Sequence, residues 1–118
     1  GRVDLALATF TQASRLLIKL EANESNKAAR EEANKMFAML ESKIAQIEAI
    51  VPDFDTEKAL QRAERAHSIF VKHGDTTSSR AQVVKKALKF VRQKCIRRHL
   101  AHLVLDEAKN GTTKEIDA

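Results

Sequence analysis

Cys95, His99 and His102 are spaced by four and three residues, so on a helix they share one face and could offer a thiolate and two imidazoles to one metal ion. Two features weigh against that chemistry. Arg97 and Arg98 sit among the three and disfavour a cation, and four-coordinate zinc would need a further ligand from elsewhere in the chain. Cys95 therefore reads as a small buried hydrophobe, and the two histidines as core-edge groups or phosphate contacts. His67 and His73 read as structural or solvated. No metal or other cofactor is expected.

Acid–base catalysis needs groups that converge on a concave site. The chain has no phosphate loop, no glycine-rich cradle and no Glu-x-x-His pair of the di-iron bundle type. Glu31, Glu32, Glu41 and Glu48 are spaced like surface charges, and Glu31 has Lys27 and Lys35 one turn to either side, as in an exposed ion-pair ladder. The expectation is that the chain is not an enzyme.

Charge gives a stronger signal. Residues 1–57 carry a net of −3 and residues 58–118 a net of +8, and the stretch from Arg80 to Leu105 has eight Lys or Arg with no Asp or Glu. Within it Lys85, Lys89 and Arg92 form a row one helical turn apart, extended by Lys86, Arg97 and Arg98. Like charges at that spacing each destabilise a helix by about a few tenths of a kcal/mol, and nothing acidic nearby in sequence offsets them. The row fits a solvated face, a face paired with the acidic first half of the chain, a polyanion-binding surface, or a site for an acidic protein. As a binding surface it would hold nucleic acid, DNA or RNA, by the phosphate backbone. Base readout has no separate support, since zinc-finger spacing, RNA-recognition motifs and a short helix-turn-helix pair are all missing. Stacking is poorly supplied too. There is no Trp or Tyr, and Phe10, Phe37 and Phe70 lie on apolar stripes, leaving Phe54 and Phe90 as the exceptions.

The same stretch holds a second candidate surface. Ile96, Leu100 and Leu103 point to nearly the side of the Lys85 row, with Val104 beside them, whereas Val84, Leu88, Val91 and Cys95 form a different apolar face. A helix apolar on several sides needs several partners: either the other three helices wrap this end and close the bundle, or it projects and a protein partner or second copy covers it. Ile96, Leu100, Leu103 and Val104 are accordingly the candidate interface for a protein partner or a second copy, and an assembly domain is the alternative to nucleic-acid binding.

These residues must be positioned by helices. The chain has one proline and three glycines, which favours a few long elements. Val3, Ala6, Phe10, Ala13, Leu17 and Leu20 recur at three and four, and after a polar break the pattern restarts in another phase at Ala29, Ala33, Met36, Phe37, Leu40, Ile44, Ile47 and Val51. Two helices turning at 23–26 explain that break. Pro52 ends the second, Asp53 to Thr56 supply N-cap side chains for the third, and Gly74 follows Lys72 and His73 as its C-terminal cap. Ser79 with Gln82 has capping-box spacing, with Ser78 as the alternative start, and the fourth helix then meets no breaker before Asn110-Gly111. The expected fold is an all-α antiparallel four-helix bundle with helices at 3–22, 26–51, 56–73 and 79–109, a long basic last helix, and a frayed tail from Gly111.

At 118 residues the chain is the length of a single domain, and its start at Gly1 suits a piece excised from a longer protein. A lone cysteine precludes an internal disulfide and fits a reducing, intracellular setting, cytoplasmic or nuclear. No run of 18 apolar residues is present, so no membrane association is expected.

Overall fold

Local side-chain chemistry sets the helix boundaries. In the computed structural model, which describes residues 2–23 and 26–117 with side chains up to Asn110, the chain forms α1 (Arg2–Asn23), α2 (Lys27–Ile50), α3 (Thr56–Lys72) and α4 (Ser79–Asp117). Residues 24 and 25 of the expected first turn, and Gly1, lie outside the described residues. The Asn26 side chain accepts from the amides of Ala28 and Ala29 at the start of α2, and Asp55 accepts from Glu57 N at the start of α3. At the end of α3, Gly74 adopts φ +70° while Gly74 N donates to Val71 O and Asp75 N to Phe70 O. That paired bonding is a Schellman cap, and the left-handed backbone explains the glycine.

The start of α4 differs in detail from the capping-box expectation at Ser79. Ser78 is the cap: its Oγ accepts from Ala81 N at 3.1 Å, and Asp75 in turn accepts from both the amide and the hydroxyl of Ser78. Those bonds, the hydroxyl foremost, with Lys35 adding to them, hold the Asp75 carboxyl below its ordinary value. The far end differs more. The helix runs through Asn110 and Gly111 to Asp117 instead of stopping at 109, so a frayed backbone from Gly111 is not what the structure has. One helical glycine costs about 1 kcal/mol relative to alanine, which by itself is too little to end a helix.

The four helices make an all-α bundle in which α2 is central. It packs against α1, α3 and α4; α3 and α4 also pack together, and α1 packs against α2 alone among the described residues. The core is small-residue packing: Ala38, Ala66, Phe70, Ala81 and Val84 form one cluster, and Ala45, Ala49, Ala59, Ala63, Leu88 and Val91 the other. Alanines let helices approach closely but each contributes little apolar area, so stability rests on the few larger side chains such as Phe70 and Ile44. On α1, Ser14 is the one buried residue, and its hydroxyl has no hydrogen-bond partner among the described residues.

Centrality alters the expected surface of α2. Glu41 and Glu48, which read as surface charges in sequence, are buried because α2 has neighbours on several sides. Arg62 of α3 serves both, with Nη1 2.8 Å from Glu41 and Nε 2.9 Å from Glu48 Oε1, though the latter contact lacks hydrogen-bond alignment. Burial outweighs the attraction of Arg62 and raises the Glu48 pKa above the ordinary carboxylate value. The folded state therefore binds this proton more tightly than the unfolded chain. Glu48 contributes fully below the unfolded pKa and loses that contribution as pH rises through its raised folded value. Glu48→Gln should match the parent near pH 4 and exceed it in melting temperature near pH 7. Equal or lower stability of the variant at both pH values would contradict this account.

Candidate interaction surfaces of the fourth helix

The buried face of α4 ends early. Ala81, Val84, Ala87, Leu88 and Val91 are buried; Lys94, Cys95 and Arg98 are half-buried; and every residue from His99 to Asn110 is exposed. At about 1.5 Å per residue, α4 is about 58 Å long, far longer than α3 beside it, and the molecule reaches 72 Å in its longest dimension. The C-terminal part of α4 is an overhang.

The basic residues divide into three groups by environment. Lys86, Lys89, Arg92 and Arg97 are exposed, and none has a salt-bridge partner among the described residues. Lys85 is also exposed and donates to the carbonyl of Thr76 at 3.2 Å. Arg98 is different. Its guanidinium donates to Phe54 O at 2.7 Å, Val51 O at 2.8 Å and Ala49 O at 3.3 Å, fastening the end of α2 and the following turn to α4. An α-helix leaves its last carbonyls without intrahelical donors, and a planar guanidinium can meet several together. Arg98 thus occupies a structural position, unlike its neighbour Arg97.

Acidic side chains of α2 do not neutralise the exposed row. Glu41 and Glu48 face Arg62, and Glu32 receives both terminal nitrogens of Arg80, one at 2.9 Å. That fork holds the Glu32 carboxyl below its ordinary value, chiefly through the hydrogen bond from Arg80. Asp75 meets Lys35 at 3.3 Å. With about 100° of rotation per residue, Lys85, Lys89 and Arg92 fall within about 60° of one another, and Lys86 and Arg97 share the adjoining face.

Comparison with protein-family models, with curated proteins and with solved structures finds no match to this chain. Its own surface chemistry carries the functional reading.

Ile96, Leu100, Leu103 and Val104 are all at least 50% exposed and lie on the overhang, in line with the basic row. Leu105 is exposed on another side. Cys95, His99 and His102 border a shallow cleft with Arg98 and the 52–57 turn, where Asp53, Asp55 and Glu57 contribute carboxylates. Among the described residues no three His, Cys, Asp or Glu are placed to hold a metal ion, and no helix is long and apolar enough to cross a membrane. Phe54 and Phe90 pack on the core cluster that contains Leu88 and Val91, with Lys94 Nζ 5.6 Å from the Phe90 ring centre.

One contact set had no signal in sequence. His73 Nε2 lies 2.8 Å from Asn34 Oδ1, and Asn34 Nδ2 donates to Glu21 at 3.2 Å, so a polar chain links α3, α2 and α1. Since Asn34 Oδ1 accepts, His73 must carry its proton on Nε2.

Proposed function

We propose that the chain is a non-catalytic helical module that holds the phosphate backbone of nucleic acid through Lys85, Lys86, Lys89, Arg92 and Arg97. The observation that carries the reading is that these five cations are exposed on one helix without a salt bridge among the described residues, while Glu41 and Glu48 of α2 are engaged with Arg62 and Glu32 with Arg80. They span about 18 Å of helix axis, and duplex DNA presents about one phosphate charge per 1.7 Å of its own axis. Binding would be multivalent and electrostatic, with little sequence preference, and would need no cofactor. Arg98 has no part in it, because its donors face protein carbonyls. An intracellular setting goes with such a ligand.

The test is a salt series with the purified chain and short duplex DNA, single-stranded DNA and structured RNA. Five neutralised phosphates on a duplex give a slope of about −4 to −5 in log K against log salt, or roughly a five-hundredfold loss between 50 and 200 mM. A folded chain that binds none of the three at 50 mM salt overturns the reading.

A second reading rests on a different observation. The overhang exposes Ile96, Leu100, Leu103 and Val104 beyond the end of the bundle core, where nothing in the chain covers them among the described residues. Such a stripe suits an assembly interface, with basic side chains at its rim.

A further inference from the structure

The charges on either side of the exposed stripe differ in sign. Arg92 lies eight residues before Leu100, Glu107 seven after it, and both are exposed. By helical rotation, Arg92, Ile96, Leu100, Leu103 and Glu107 lie within about 80° of one another, so the stripe runs basic, apolar, acidic along one face. Axially, Arg92 is about 12 Å and Glu107 about 10.5 Å from Leu100.

That order is self-complementary in one orientation only. We infer that the stripe is covered by a second copy of this chain, paired antiparallel through α4 about a two-fold axis near Leu100, with Arg92 of each copy beside Glu107 of the other. The inference deepens the assembly reading by naming the partner. In a parallel pair, Arg92 would meet Arg92 and Glu107 would meet Glu107. In the antiparallel pair each apolar segment covers the other, and two symmetry-related ion pairs close its ends, as an isologous interface requires. The overhang of one copy then lies along the in-bundle part of the other's α4, which presents its exposed face there. Lys86 and Arg97 are turned away from the seam. The apolar contact involves few side chains per copy, so the expected affinity is on the order of micromolar.

The experiment is sedimentation analysis of the whole chain across concentration, without nucleic acid, together with hydrogen exchange at residues 99–110. The expected result is a reversible monomer–dimer equilibrium. Leu100→Glu with Leu103→Glu should abolish the dimer while leaving the bundle folded, since both residues lie outside its core. Arg92→Glu or Glu107→Arg alone should weaken it roughly tenfold, and the double exchange should restore it. A chain that stays monomeric to about 1 mM overturns the inference; so does a dimer indifferent to the leucine changes or unrescued by the double exchange. If the monomer's overhang amides are protected, that helix needs no cover and the assembly reading falls with it. If they exchange freely in a monomer, the second copy alone is ruled out as the cover.

Discussion

Arg98→Ala should destabilise the protein by about 3 kcal/mol, lowering its melting temperature by about 10 °C, while Arg97→Ala next to it should change stability by less than about 0.5 kcal/mol. The two arginines are adjacent in a basic run and indistinguishable by composition. Their environments separate them. Arg97 is exposed with no ion pair among the described residues, whereas Arg98 donates to three carbonyls at the end of α2 and in the 51–54 turn. Removing that side chain leaves half-enclosed carbonyls short of donors and releases the tie between α2 and α4. Arg98→Lys should recover only part of the loss, because one ammonium cannot reproduce the planar fork. Thermal unfolding of the three variants decides the matter. Equal stability of Arg98→Ala and Arg97→Ala would show that the carbonyl contacts contribute nothing net.

Periodicity in sequence was enough to place four helices, and residue type placed the α3 N-cap within 53–56, where Asp55 fills it, and the C-terminal cap at Gly74. What periodicity reports is which residues are apolar, so it failed where burial falls on polar groups. Glu41 and Glu48 are buried because Arg62 approaches from α3, and pairing across 21 and 14 residues leaves no local trace. Arg98 is the same case at greater separation, 44 to 49 residues from the carbonyls it meets. The apolar pattern of α1 misled in the opposite sense. Val3 and Leu20 are exposed although they belong to the stripe, since α1 packs against α2 alone among the described residues. The overhang was legible in part: Ile96, Leu100 and Leu103 depart from the face set by Val84, Leu88 and Val91, a change that fits either a projecting end or one wrapped by the other helices, and it occurs where the bundle stops covering α4. Helix length failed as a guide at Gly111, because a residue that weakens a helix ends it only when packing or a cap rewards the turn.

Replacing Lys86, Lys89 and Arg97 with glutamine should reduce the magnitude of the salt slope for duplex DNA by about three, with a loss of affinity on the order of a thousandfold at 50 mM salt. These three are chosen because all are exposed and none has a salt-bridge partner among the described residues, so their removal costs the bundle nothing specific and relieves like-charge repulsion. Arg92 is left in place, since Glu107 of a second copy and a phosphate would compete for it; Lys89 shares that sector of the helix, so the oligomeric state of each variant is recorded in the same buffers. The matched control replaces Lys19, Lys43 and Lys58, exposed cations on the other helices, and reaches the same net charge of +2 from +5. If attraction comes only from the overall positive charge, the two triple variants will weaken equally. If phosphates lie along α4, the control will keep most of the slope and the α4 variant will lose it, because counterion release counts the cations in contact and not the charge of the whole molecule. Titration of both variants against the same duplex between 50 and 200 mM salt, with folding checked by circular dichroism, distinguishes the two. Parallel losses in the two variants would remove the basis for assigning the function to α4.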